Sequence, residues 1–202
     1  MITAAILGAL FFAAAGYLGA IAGLWFAERI EPLPDAAKPG KAPIGALIAA
    51  CGVIGAIVTM HGNQGQVLLI AVVCIALVAI WITDTTRGVV PDVFTLGPLG
   101  LILVLAVWQH DWLIFVSAAI PFVPFAAAAM LSRGRGMGWG DVKMVALGGA
   151  LLGAQTAVLV FAFACLAAVA LNYLRGHRSG PIAFAPYLAA AIGLAIPLGI
   201  LR

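Results

Sequence analysis

The sequence has very little charge. Only 8% of its 202 residues are Asp, Glu, Lys or Arg, and 65% are hydrophobic, whereas a soluble domain carries about 25% charged residues. A water-soluble globular domain is therefore excluded, and the composition predicts an integral membrane protein with one membrane domain. The basic residues form no stripe with interleaved aromatics, which argues against a nucleic-acid partner.

Several other features are also scarce. The three cysteines lie singly in apolar runs without a Cys-x-x-Cys spacing, and we interpret them as small buried hydrophobes. No His-Glu-x-x-His motif is present, so the sequence predicts no metal site and no cofactor. The first residues lack the basic stretch of a signal peptide, and the first apolar run is interpreted as a retained membrane helix.

What the chain has in abundance is long apolar runs, and a spanning helix needs about 20 such residues. The predicted helical segments are 2–26, 43–60, 67–83, 93–108, 112–131, 141–153, 155–173 and 182–201. The sixth is short: at 1.5 Å per residue it covers only ~20 Å of a ~30 Å hydrocarbon core. The sequence therefore predicts an all-α polytopic membrane protein, a bundle of about eight helical segments.

The basic residues also predict an orientation. Nine of the ten Lys and Arg residues fall in loops on one face of this bundle, and the tenth is the terminal Arg202. Basic loops are typically cytoplasmic. We therefore expect the N-terminus outside the cell membrane and the loops 84–92 and 134–143 on the cytoplasmic side.

Two carboxylates fall at helix boundaries on that face. Asp84 ends the third segment, where the helix dipole disfavours negative charge, and Asp141 opens the short sixth segment. Charged groups near lipid are costly and usually functional. Two carboxylates about 4 Å apart repel by about 4 kcal/mol at an effective dielectric of about 20, which keeps one of them protonated near neutral pH. We predict a protease dyad in which Asp84 is protonated and Asp141, near Lys143, is ionised.

The residues around this pair are interpreted as support. Gly136, Gly138 and Gly140 alternate with larger residues, and such a loop can lie extended beside a peptide substrate. Asp92 follows Pro91 and opens an apolar run. We predict that Asp92 caps the next helix, accepting a hydrogen bond from a backbone N–H two or three residues further on.

These residues resemble a known family. Gly138-Trp-Gly-Asp-Val-Lys143 matches the Gly-x-Gly-Asp-x-Lys motif of type IV prepilin peptidases, which are membrane aspartic proteases. Asp84-Thr-Thr-Arg-Gly-Val-Val-Pro-Asp92 resembles the family's other motif, and Phe184-Ala-Pro-Tyr187 is similar to its final helix, although Ile182-Ala183 replaces the usual Ile-Pro. The resemblance begins at about Val67. It suggests a peptidase core over 67–202, preceded by N-terminal helices and a short cytoplasmic loop over 1–66.

The resemblance implies that Asp84 and Asp141 are the catalytic pair. It implies removal of a short basic leader from a prepilin or pseudopilin at the cytoplasmic side of the inner membrane, with the substrate's apolar stem in the bilayer. Bifunctional members have a large loop after the first helix, often with zinc-binding cysteines, and also methylate the new N-terminus. Here that loop is about 28–40 and has no cysteine. The chain therefore looks like the compact, peptidase-only form.

The sequence leaves three alternatives open. Presenilin-like proteases share the Gly-x-Gly-Asp motif but pair it with Tyr-Asp and Pro-Ala-Leu, whereas this chain has Thr83 before Asp84 and Ala-Pro-Tyr near its end. An ion-coupled transporter would use the same aspartates, but predicts carboxylates near mid-bilayer and an inverted repeat. A membrane scaffold would leave both motifs without a chemical role. The sequence does not predict the oligomeric state.

Overall fold

The computed structural model describes residues 2–31, 42–61, 64–131, 137–174 and 184–200, and within these ranges it contains eight α-helices and no strand. In chain order they are α1 (Ile2–Arg29), α2 (Ile44–His61), α3 (Gln64–Arg87), α4 (Asp92–Gln109), α5 (Leu113–Leu131), α6 (Trp139–Leu152), α7 (Ala154–Leu174) and α8 (Ala185–Ile200). The predicted fold class is confirmed, including the short sixth segment.

Six of the described helices are long and apolar enough to cross a membrane, namely α1 to α5 and α7. They have 18 to 28 residues, and their exposed side chains are largely hydrophobic. The protein is therefore a multi-pass membrane protein. Helix α6 has only 14 residues, about 21 Å of rise, and α8 is also shorter than the six spans.

Helix α6 is surrounded by α4, α5, α7 and α8, and glycines allow two of these contacts. A Cβ at Gly148 would lie 2.4 Å from the Phe161 ring, and one at Gly149 would lie 2.5 Å from the Ser117 carbonyl oxygen. Because Pro121 has no N–H, the carbonyl of Ser117, four residues earlier, has no donor from its own helix. Gly149 covers that position, which lets α5 and α6 approach closely.

One end of the bundle collects several helix termini, and we call it the site end. It contains the C-termini of α1 and α3 and the N-termini of α4, α6 and α8. The rings of Phe26 in α1 and Phe94 in α4 pack edge to face there, with centroids 4.9 Å apart. Lys143 in α6 reaches Asp92 in α4.

Helix α3 is longer than predicted, since it continues four residues past Thr83 to Arg87. Thr83, Thr85 and Thr86 all donate their hydroxyls to carbonyls of the preceding turn, which satisfies them inside the helix. The helix ends where Gly88 adopts a positive φ of 69°, as is common after a helix C-terminus. Asp84 consequently lies inside the last turn of α3 and not in the connector that follows it.

Candidate active site

Asp84 and Asp141 meet at the site end. They come from α3 and α6, their relative exposures are only 8% and 9%, and their carboxylates are close enough for their charges to interact. Thr83 and Thr95 are the other buried polar residues in the described ranges. The structure thus brings together two acids separated by 57 positions in the sequence.

Asp141 is held by the first turn of its own helix. Gly138 precedes the helix, its backbone N–H donates to Oδ2 of Asp141 at 3.3 Å, and its carbonyl accepts from the Asp141 N–H at 3.1 Å. Burial raises the pKa of Asp141 to about 6, and the hydrogen bond from Gly138 opposes this rise. The helix N-terminus also favours a negative charge at this position.

Asp84 has a different environment. It lies in the last turn of α3, where its carbonyl accepts from the Gly88 N–H at 2.9 Å. Among the described residues, its Oδ2 is the buried side-chain polar atom that has no hydrogen-bond partner. Such orphaned atoms are rare in native proteins and call for an explanation. A carboxyl oxygen left open beside a second carboxylate is suited to binding a substrate atom or a water molecule.

The two motif regions touch directly through Gly140. A Cβ at this position would lie 2.6 Å from the Cβ of Val90, in the connector between α3 and α4. No side chain fits there without displacing one segment. Gly138 is different, because its φ of −77° and ψ of 149° are open to any residue and an added Cβ would make only an ordinary contact with Asp141. Gly136 lies outside the described residues.

The predicted capping role of Asp92 is wrong. Pro91 is the N-cap residue of α4, and no side chain caps the helix. Asp92 is already the first residue inside the helix, and its Oδ1 lies 2.6 Å from Nζ of Lys143, a charge-assisted contact. The same pair corrects the expected position of Lys143, which binds Asp92 and not Asp141. Since the Asp92 side chain is 61% exposed, the pair contributes at most about 1 kcal/mol.

Sequence reasoning missed one group near the pair. The backbone N–H of Ala185, the first residue of α8, interacts with the Asp84 carboxylate. The only signal was the resemblance of the Phe184–Tyr187 stretch to a family motif, and a backbone donor cannot be recognised from side-chain types. Within the described ranges, no group of three or more His, Cys, Asp or Glu residues is placed to hold a metal ion.

Comparison with known proteins identifies the family of the chain. The family model for the type IV leader peptidase family matches residues 71–172, half of the chain, including both aspartates. The chain belongs to the type IV leader peptidase family. It is 32% identical over 189 residues to the prepilin leader peptidase/N-methyltransferase of Aeromonas salmonicida, and 30% identical over 188 residues to the protein of that name from Aeromonas hydrophila.

Each of these alignments covers 87% of this chain and 64% of the relative. The chain therefore spans slightly less than two thirds of the length of these relatives. No solved structure gives a significant match.

Proposed function

We propose that this family member is a membrane-embedded aspartic endopeptidase that removes the leader peptide from type IV prepilin-like substrates. The observation that carries the proposal is the pair of buried carboxylates, one with a hydrogen-bonded oxygen and the other with an oxygen left open. The names of the Aeromonas relatives support the substrate class. The substrate is a prepilin or pseudopilin, and the second partner is the lipid bilayer.

The proposed reaction divides the work between the two acids. Ionised Asp141 takes a proton from a water molecule as that water attacks the carbonyl carbon of the scissile peptide bond. Protonated Asp84 donates its proton to the carbonyl oxygen, which gives a neutral tetrahedral diol. The C–N bond then breaks as Asp141 passes its proton to the leaving nitrogen and Asp84 recovers a proton from one hydroxyl. One water is consumed, and an acid and an amine are released.

The proposed location is the inner membrane, with the site end cytoplasmic and the N-terminus outside. The supporting observation is that Arg29, Arg87 and Lys143 all lie at the site end, whereas no Lys or Arg falls in the sequence between α2 and α3 or between α4 and α5. We keep the division into N-terminal helices (1–66) and a peptidase core (67–202) as a proposal. The sequence between α1 and α2 has no cysteine, which favours a peptidase without methyltransferase activity.

The experiment is co-expression with a type IV prepilin, followed by mass measurement of the pilin. We expect Asp84→Asn and Asp141→Asn to abolish leader removal while reaching the membrane in normal amounts. The matched control is Asp111→Asn, which neutralises an exposed acid in the turn before α5, away from the pair. Leader removal retained in either of the first two variants would contradict the proposal.

A further inference from the structure

The first turn of α8 has one backbone donor that its own helix does not use. The Phe184 carbonyl accepts from the N–H groups of Tyr187 and Leu188, at 3.0 and 3.3 Å. Pro186 has no N–H. This leaves the amide of Ala185 as the remaining donor of the turn, and it is the group that interacts with the Asp84 carboxylate.

The position of this amide is fixed by packing. Ala185, Leu188 and Ile192 are fully buried along one side of α8, and the helix packs against α3 and α6, the helices that carry the two acids. Tyr187 is additionally linked to α7, because its hydroxyl lies 3.3 Å from Nδ2 of Asn172. The amide therefore approaches Asp84 from a rigid element and not from a loose loop.

The amide of Ala185 interacts with a buried carboxyl group that lacks one hydrogen-bond partner. Asp84 is more than nine-tenths buried, and its Oδ2 has no partner among the described residues. Its own helix presents a C-terminus to it, which disfavours negative charge, whereas α8 presents an N-terminus, which favours it. The charged side chain that interacts with Asp84 is Asp141. Lys143 is bound to Asp92.

We propose that the Ala185 backbone amide is a positioning group for Asp84, orienting its carboxyl so that Oδ2 stays directed at the scissile carbonyl. This inference rests on the proposed function and adds α8 to the reaction centre, although α8 lies beyond the residues that match the family model. Pro186 contributes by removing a competing donor from the same turn.

The test removes this N–H and little else. Ala185 is replaced by lactic acid through nonsense suppression, which exchanges the amide N–H for an ester oxygen and keeps the methyl group. Cleavage of a peptide spanning a prepilin leader junction is then followed in detergent across pH. Loss of a hydrogen bond to an ionisable group should lower kcat about tenfold. It should also move the alkaline limb of the pH profile upward by about one unit, with KM unchanged.

Two controls match this change. Lactic acid at Ala154, the first residue of α7, makes the same chemical replacement away from the acids. Ala185→Gly keeps the N–H and loses only the methyl group. Both should retain the normal pH profile.

The outcomes separate the two proposals. An unchanged kcat, or a lowered kcat with an unmoved pH profile, would overturn the positioning role of Ala185. If Asp84→Asn is inactive while the Ala185 ester behaves like wild type, only this inference fails. If Asp84→Asn still cleaves the substrate, the proposed function itself fails.

Discussion

The last turn of α3 and the first turn of α6 present two carboxylates in opposite settings. Asp84 and Asp141 are equally buried, but Asp141 accepts a backbone hydrogen bond within its own N-terminal turn. Asp84 lies at a helix C-terminus with one oxygen unpaired. Equal burial therefore does not give equal chemistry. The polarity of the helix that carries each acid distinguishes the proposed base from the proposed acid.

The largest expected effect comes from disturbing the contact between the first turn of α6 and the connector that follows α3. Gly140→Ala places a Cβ 2.6 Å from the Cβ of Val90, so the first turn of α6 must shift. A displacement of about 1 Å can cost about a hundredfold in rate, and we expect at least a tenfold loss of cleavage. The measurement is kcat for leader cleavage by purified protein.

Gly138→Ala is the control for this change, because its backbone angles are ordinary and its added Cβ makes only an ordinary contact with Asp141, at 3.5 Å. It should stay within about twofold of wild type. Val90→Gly should partly rescue Gly140→Ala by removing the clashing carbon. Equal losses from the two alanine substitutions would show that the close contact at Gly140 does not explain its effect.

A smaller effect is expected when α6 is disturbed far from the acids. Gly149→Ala would push a Cβ against the Ser117 carbonyl, and overpacking of this kind costs about 1–3 kcal/mol. Gly100→Ala adds the same methyl group to α4 where nothing lies within 4 Å, so it should not lower stability and should raise it by up to about 1 kcal/mol. The free energy of unfolding in detergent measures both. A neutral Gly149→Ala would mean that α5 does not hold α6, and with it Asp141, in place.

The contrast between the turns also predicts a pH dependence of stability. Burial raises the pKa of Asp141 from 3.8 to about 6, so the folded state holds this proton more tightly than the unfolded chain does. The contribution of Asp141 to the free energy of unfolding should therefore decrease as pH rises from about 4 to about 6, and stay level above. The difference in the free energy of unfolding between the wild type and Asp141→Asn, measured at each pH, isolates this contribution. A difference that is flat over this range would contradict a raised pKa.

The smallest effect is expected at Lys143. Cleavage requires ionised Asp141, so the acid limb of kcat/KM should lie near pH 6. Because the ammonium of Lys143 binds Asp92, Lys143→Gln should leave this limb in place and lower stability by at most about 1 kcal/mol. A shift of the limb by half a pH unit or more would mean that Lys143 acts on Asp141 after all.

The sequence was sufficient for much of the fold. Long apolar runs predict the spanning helices because hydrocarbon allows few other structures, and 141–153 is visibly too short to be one of them. The predicted end of the third segment at residue 83 falls four residues short of the end of α3 because Asp84 and the two threonines that follow it are polar. The hydroxyls of Thr85 and Thr86 bond back to their own helix, which hydropathy does not reveal.

The site was predictable only in part. Asp84 and Asp141 are recognisable because a carboxylate in an apolar chain is energetically costly and usually has a function. Neighbours in sequence suggest the predicted roles of Asp92 and Lys143, whereas in the structure these two residues bind each other across 51 positions. The amide of Ala185 has no sequence signature, since any residue except proline would supply it. Long-range contacts and backbone donors thus account for what the sequence left out.

The central claim is that Asp84 and Asp141 act as one catalytic unit. The most direct test is a double-mutant cycle on cleavage of a prepilin leader peptide by purified protein, using Asp84→Asn, Asp141→Asn and the double variant. If the two act together, each single change should lower kcat by about a thousandfold or more, and the double variant should be no worse than either. Cleavage retained by a single variant, or losses that multiply in the double variant, would contradict the account.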